Sequence, residues 1–470
     1  MKVARLDLPV MASWMESNGR RLDCNPYLSG GFEARISLER LDVKKQQIKE
    51  LTENGIRGVF NGPRFARKYV NDDAYGVPLL SGTEMLQADI SGAPLISKKQ
   101  VSSMPQMILK EGTTLISSYG TIGRTAYCRR DMVGMVGSDN VLKIIPDTEK
   151  ISPGYLYAFL SSRFGVPLIV SELSGSVVTY LDPSRIADLP VPRLGDALEQ
   201  EIHNLITEAA EIRTKANQDL HTAIHKIEDL ANLPPLESIQ NTSPDISTVA
   251  SSELHNRLDG LFHSNFHRSA LETLKHLPEE QRTTVGELAI KIFEPTRFKR
   301  VQLDDASYGV PFFGTTTLMW NDPVPSYCIP NKQGSSDEYI VDDKTVLIPR
   351  SGQLSGLIGH AVLPYGALIG GAISEHAIRV VLPSAEIAGY LFLALASEYG
   401  KRQLKARAYG SSIPTLDVNM IQQVIIPKLT DKLVRELGKV GHQISCDRTT
   451  AIQKEEQARN LLESFIEKSQ

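Results

Sequence analysis

Apolar positions along this chain follow two kinds of pattern, and each kind occurs twice. Between Asp196 and Leu230 the residues Leu198, Ile202, Leu205, Ala209, Ile212 and Ala216 step by four and three, with no proline or glycine between them. That spacing lays a narrow stripe along a helix, the seam of a coiled coil rather than a broad surface-helix face. Over residues 430–466 the register returns in Leu433, Leu437, Val440, Ile444 and Ala451, and Ala458, Leu461 and Phe465 extend it; only Gly438 and Gly441 interrupt. Two long helices with matched seams predict packing on each other, and about 35 residues of helix span about 52 Å. A dimerisation helix joining separate chains is the competing reading.

Ahead of each long helix stand short apolar runs broken by glycine and proline, at residues 77–80, 114–117, 141–145, 346–348 and 378–382. These read as strands. Helical composition over residues 31–53, 153–164, 265–277 and 386–399 makes each half mixed α/β, closing at Pro192 or Pro427.

The chain is written twice. Tyr75-Gly76-Val77-Pro78 returns as Tyr308-Gly309-Val310-Pro311, and the same shift carries Arg64-Phe65 onto Arg297-Phe298, Arg67 onto Arg300 and Asp72 onto Asp305. Arg21-Leu22-Asp23 matches Arg257-Leu258-Asp259, Gly154-Tyr155-Leu156 matches Gly389-Tyr390-Leu391, and Gly165 falls on Gly400. Gly175-Ser176 with Leu181-Asp182 matches Gly410-Ser411 with Leu416-Asp417, and Pro192-Arg193-Leu194 matches Pro427-Lys428-Leu429. A period this long is no solenoid, because each copy is the size of a domain. The expected organisation is a first domain at 1–195, a helix at 196–234, a polar, proline-bearing linker at 235–250, a second domain at 251–429 and a second helix at 430–470. Duplicated surfaces suit a bipartite target; the alternative is a doubled core without a doubled function.

Composition narrows the classes. With 470 residues and 41% hydrophobic content there is ample material for two packed domains and no signature of disorder. The first ten residues lack the apolar core of a signal peptide and no run is long enough to span a membrane, so a cytoplasmic location is expected. Cys24, Cys128, Cys328 and Cys446 form no CxxC pair and signal neither a disulfide framework nor a zinc site. Net charge is −4, yet Lys401, Arg402, Lys405 and Arg407 crowd into seven residues just ahead of Tyr409, Ser411 and Ser412. Phosphate contact needs only such a local positive surface.

Catalytic patterns fail one after another: no phosphate loop, no Walker lysine, no His-Glu-x-x-His, no nucleophile elbow. Asn25-Pro26-Tyr27 lacks the second proline of a base-flipping methyltransferase signature, and His263 with His267 finds no further ligand to complete a metal set. Neither an enzyme nor a cofactor or metal site is expected. Glycine-bearing turns offer more. Ser118, Tyr119, Thr121 and Arg124 follow one strand, Arg350, Ser351 and His360 follow its counterpart, and Ser176 and the 410–412 turn give a second set. Such loops bring amides, hydroxyls and a cation to one edge, the mixture that positions phosphates and reads bases.

The whole order resembles the specificity subunit of type I restriction-modification systems: a globular unit with a glycine turn after its central strand, a Gly-Ser turn, a close at Leu189-Pro190-Val191-Pro192, then a long helix, all repeated. The resemblance covers nearly the full chain. It implies two α/β target-recognition domains in pseudo-twofold repeat, each followed by a long helix, the helices forming an antiparallel spacer. It also implies a non-catalytic reader of bipartite double-stranded DNA that directs methyltransferase subunits and a motor nuclease in antiviral defence. Glu199-Gln200 keeps a pair common in that family, whereas Arg435-Glu436 departs from it. In this reading Ser118, Tyr119, Thr121, Arg124, Ser176, Arg350, Ser351, His360, Lys401, Arg402, Lys405, Arg407, Tyr409, Ser411 and Ser412 face DNA. Leu198, Ile202, Leu205, Ile212, Leu433, Leu437, Val440 and Ile444 form the helix packing. The alternative is a DNA-binding recognition adaptor of another defence system, without a partner methyltransferase.

Overall fold

Strands form where the apolar runs predict them, and their pairing is the same in both halves. The structure is a computed structural model that describes residues 11–17, 25–28, 30–175, 179–237, 246–254, 257–303, 306–334 and 338–469. Among the repeated blocks, Arg21-Leu22-Asp23 and Asp305 lie outside the described residues. Two compact units emerge: residues Met1–Thr214 with Ala451–Gln470, and residues Lys215–Thr450.

In the first unit β1 (Val59–Phe60), β2 (Thr114–Ser117), β3 (Thr125–Tyr127) and β4 (Val141–Ile144) build an antiparallel sheet in the order β1-β4-β2-β3. All four residues of β2 and of β4 are buried, Lys143 of β4 among them, so both faces of these strands are covered. Beside this sheet Gly76–Leu80 pairs antiparallel with Leu95–Ser97 and parallel with Val136–Gly137. The second unit repeats the scheme. Its β5 (Lys291–Phe293), β6 (Thr345–Pro349) and β7 (Ala377–Val381) order as β5-β7-β6, and a single bridge between Leu347 and Val362 stands in the place of β3. Gly309–Phe313 again pairs antiparallel with one strand, Tyr327–Pro330, and parallel with another, Ala372–Ile373. Each unit is closed by a proline strand: Pro190–Pro192 on Lys45–Gln47, and Ile425–Pro427 on Arg282–Thr284.

Among the described helices, those used below are α1 (Pro153–Ser161), α2 (Asp196–Leu230), α3 (Ala385–Ala396), α4 (Glu398–Arg407) and α5 (Asp431–Lys468). The expected helices at 153–164 and 386–399 break at Ser162 and Ser397, whose hydroxyls each accept from the glycine amide three residues on, Gly165 and Gly400, at 3.1 Å. The helix expected over 31–53 ends at Arg40, because the chain turns extended at Leu41 to lay Lys45–Gln47 against the proline close. The matched Gly-Tyr-Leu blocks are architectural. Tyr155 donates its hydroxyl to the Pro192 carbonyl, and Tyr390 donates to the Pro427 carbonyl at 2.9 Å. Gly154 and Gly389 lie where α1 and α3 press on the long helices, against His203 and Gly438 respectively.

Both long helices run unbroken for 35 and 38 residues. In the first unit Ile202, Ile206 and Ala210 of α2 share a buried cluster with Ala458, Leu462 and Ile466 of α5. In the second unit Ala216, Leu220, Ala223, Ile224 and Ile227 share one with Leu437 and Ile444. The start of one helix thus packs with the end of the other, and the pair is antiparallel. The buried stripe nevertheless departs from the expected seam. On α2 it passes through Ile202, Ile206, Ala209, Arg213, Ala216, Leu220, Ala223 and Ile227, all buried, while Leu205 and Ile212 flank it. On α5 it takes Leu437, Gly441, Ile444, Arg448, Ala451, Glu455, Ala458 and Leu462. Leu433 is half-buried, and Val440, expected to pack, is 37% exposed, its inward place taken by Gly441. The spacing of fours and threes holds; a search for apolar letters alone steps over the arginines, the glutamate and the glycine that occupy it.

Candidate nucleic-acid interface

In the first unit the turn after β2 is shaped by Gly120 and Gly123, both in the left-handed region at φ 73° and 82°. Ser118 is fully buried: its amide donates to the Asn140 carbonyl, and its hydroxyl to Asn61 Oδ1 at 3.0 Å. Expected as a surface contact, it instead pins the turn to its neighbours. Thr121 and Arg124 are exposed on the turn, and Tyr119 is half-buried. Tyr119 stacks on Tyr180 with ring centroids 6.3 Å apart, and exposed Arg64 donates to the Tyr119 hydroxyl at 3.3 Å. That hydrogen bond raises the Arg64 pKa. Arg67, three residues on, donates to Asp139 at 2.9 Å, and contacts with Tyr69 and Asp139 raise its pKa in turn. Ser176 lies outside the described residues.

The second unit brings its two expected turns together directly. Ser351 bridges Thr415, Tyr409 and Thr415 exchange amide hydrogen bonds of 3.0 and 2.8 Å, and the Gly352 amide donates to the Pro414 carbonyl. Gly410, at φ 99°, turns the chain so that Tyr409, Ser411 and Ser412 are exposed. Arg350 pairs with Glu294, and its backbone bonds to His376 and Leu416; His360 is half-buried on the same stretch. Glu294 and Arg350 occupy the places of Asn61 and Ser118 in the other copy, so a charged pair here replaces an amide–hydroxyl pair.

The basic run on α4 does not form one charged surface. Arg402 and Arg407, expected to meet phosphates, are buried. Arg402 lies over the Phe266 ring at 3.8 Å and donates to the Glu237 and Phe266 carbonyls, and Arg407 donates to those of Gln403 and Gln423. Burial lowers both pKa values, that of Arg407 to about 10. The reason is helical geometry: residues 402 and 407 fall on the face of α4 that packs inward, and their long side chains satisfy carbonyls at the ends of neighbouring segments. Lys401 is half-buried, and Lys405, also half-buried, has its pKa lowered by burial.

Sequence reasoning passed over a device that both units share. In the first, Lys143 of β4 is buried and donates to the Ser138 and Val141 carbonyls at 3.0 Å; burial pulls its pKa down to about 7. In the second, Arg379 of β7 is buried in the same way, donating to the Ser374, Ala377 and Ile373 carbonyls, and burial pulls its pKa down to about 9. Each cation braces the turn ahead of its strand. Each turn then presents an acid to an arginine from the repeated block, Asp139 to Arg67 and Glu375 to Arg300 at 2.5 Å. Burial pulls on the Arg300 guanidinium, but Tyr327 and Glu375 outweigh it and its pKa is raised. Arg64 and its counterpart Arg297 stand exposed beside these pairs in sequence, as do Tyr75 and Tyr308, 69% and 72% exposed. The signal was present: Arg64, Arg67 and Tyr75 lie in the best-matched block. Asp for Glu and Lys for Arg hid the remainder from a search for identities.

In the first unit exposed Arg64 meets Tyr119, itself stacked on Tyr180, at the glycine turn that carries exposed Thr121 and Arg124, a mixture that suits phosphate contact and base-edge reading. No family model matches the chain. No curated protein matches it either. Among solved structures, it is similar to the S subunit of a type I restriction-modification system from M. genitalium, at 15% identity and TM-score 0.34, covering 91% of this chain and 96% of that one. It is similar to the HsdS subunit from Thermoanaerobacter tengcongensis at 14% identity and TM-score 0.27, with 91% and 96% covered. A chain of a type I R-M system described for its complex assembly and conformational transition matches at 14% identity and TM-score 0.26, with 91% and 97% covered. At TM-scores this low the likeness supports no inference about this chain.

Proposed function

We propose that this chain is a non-catalytic, sequence-specific DNA-binding subunit that reads a bipartite double-stranded site and directs methyltransferase and restriction subunits to it. One observation carries the reading: the arginine and aromatic surface is duplicated on the same strands and turns of two domain-sized units, Arg64, Arg67 and Tyr75 in one and Arg297, Arg300 and Tyr308 in the other. A duplicated core would need only the glycines, tyrosines and prolines that pack; it would have no use for matched exposed arginines and tyrosines.

Arginines supply the sequence-independent attraction to phosphates, while the glycine turns bring amides and hydroxyls to base edges. Two such surfaces on one chain read two half-sites, and the antiparallel helices set the gap between them. The test is selection of bound sites from a random DNA pool with the partner subunits present. Two short conserved blocks separated by a constant unread gap are expected; one continuous block removes the bipartite reading. The alternative, a recognition adaptor of another defence system, predicts the same sites without any methyltransferase.

A further inference from the structure

At one position the two units agree in their backbone contacts and differ in the side chain. Ser138-Asp139-Asn140 in the first unit stands where Ser374-Glu375-His376 stands in the second. In both, the serine hydroxyl accepts the amide of the third residue, at 3.2 and 3.3 Å, and the serine carbonyl accepts from the buried cation, Lys143 or Arg379. The acid holds the arginine of the repeated block, Arg67 or Arg300. The carbonyl of the third residue accepts from the amide that opens the glycine turn, Ser118 or Arg350, at 3.0 and 2.8 Å. Ser117 pairs with Val141 and Pro349 with Ala377, so Asn140 and His376 stand one residue beyond the last rung of their sheets, between the arginine and the turn. Their neighbours are committed to packing: β4 is buried throughout, and His376 is the one residue from Gly371 to Val380 that is not buried.

The fold makes little use of either side chain. The Asn140 amide has no hydrogen-bond partner among the described residues, yet neither of its polar atoms is shut away from solvent. The His376 side chain is 46% exposed, and because its Nδ1 is closed the ring opens by the edge that carries Nε2, 3.8 Å from Glu375. A carboxylate at that distance is too far for a hydrogen bond but favours the tautomer with its hydrogen on Nε2. Asn140 thus offers a donor and an acceptor side by side, the pattern that adenine N6 and N7 complete in the major groove. His376 offers a donor, which suits guanine, whose N7 and O6 both accept.

We infer that Asn140 and His376 are specificity-determining residues, each reading one base edge in the half-site of its unit, Asn140 an adenine and His376 a guanine. This rests on the DNA-reading function proposed above. The matched arginines hold each unit on the phosphates in the same way, and the residue at this position makes the two half-sites differ.

The test repeats the selection of bound sites from random DNA with the full chain, its partner subunits and single variants. In Asn140→Ala one A·T pair in one half-site should lose its preference over the other pairs by about 5- to 150-fold, the worth of one bidentate base contact. His376→Ala should relax one G·C pair in the other half-site, and Asn140→His should replace the A·T preference by G·C at the same pair. Because neither side chain supports the fold, each variant should unfold within about 2 °C of the wild type. A wild type that selects two blocks, with variants that select the same blocks unchanged, overturns this proposal and leaves the bipartite reading standing. A loss of preference spread over both half-sites, or a larger fall in the unfolding midpoint, overturns it as well by showing that the residue supports structure. A wild type that selects no defined sequence overturns the proposal together with the function it rests on.

Discussion

Gly389 of α3 lies against Gly438 of α5 so closely that a Cβ on Gly389 would stand 2.8 Å from the His442 amide nitrogen and closer still to the Gly438 carbonyl. The crossing is made of backbone on both sides, for Gly441 in turn faces the Gly389 carbonyl. A helix-interior glycine ordinarily costs stability relative to alanine, so its retention at this crossing reflects space. Gly389→Ala and Gly438→Ala should therefore destabilise the second unit by about 1–3 kcal/mol despite better helix propensity. Denaturant unfolding checks this; neutral or stabilising variants would show that the crossing relaxes freely.

The ion pair of Arg213 with Glu455 sets a pH dependence. Burial alone would raise the Glu455 pKa, but Arg213 and Arg459 outweigh it and the carboxyl titrates below its usual 4.5 in the folded chain. A depressed folded pKa contributes stability that is fully present above 4.5 and lost as pH falls through the folded value. Glu455→Gln should lower stability near neutrality by about 3 kcal/mol, because buried Arg213 then loses the Glu455 charge. The gap between the two proteins should narrow below pH 4.5.

Within the basic run the two kinds of cation should separate by assay. Arg402→Ala and Arg407→Ala remove donors from buried carbonyls and should each cost about 2–3 kcal/mol of stability. Lys401→Ala should leave the unfolding midpoint within about 1 °C of wild type. If Arg402→Ala is as stable as wild type, its carbonyl contacts contribute nothing.

Exposed arginines should behave in the opposite way. Arg64→Ala and Arg297→Ala are expected to leave stability unchanged, weaken DNA binding for all sequences alike, and each reduce the slope of log affinity against log salt by about 1. Identical slopes in the double variant would remove both from the interface.

The helical spacer is testable by length. Adding four residues to α2 after Thr214 and four to α5 after Thr450 preserves the paired seams nearly in register and lengthens the spacer by about 6 Å, close to two base-pair steps. Selected DNA sites should keep their half-site sequences and widen their gap. An unchanged gap would mean that something other than the helices sets it.

The sequence by itself determined the duplication, the strands and the two long helices, because each rests on periodicity or on residues whose backbone role is local. The matched Gly154-Tyr155-Leu156 and Gly389-Tyr390-Leu391 blocks and the four-three spacing of the seams are legible in one dimension, whereas the serine caps that break the helices at Ser162 and Ser397 and the reach of Tyr155 and Tyr390 to the proline close belong to the fold. Only the tertiary structure decided which way the cations face. Arg402 and Arg407 read as charge on a surface, yet α4 turns them toward carbonyls that the sequence cannot bring near; Ser118 reads as a contact and is a buried brace. Likewise Arg213, Arg448 and Glu455 hold seam positions that a search for apolar residues skips. A charge is buried only where the folded backbone brings carbonyls or a counter-charge to it, as the turn ahead of its strand does for Lys143 and the Gln423 carbonyl does for Arg407, and that arrangement is a property of the folded chain alone.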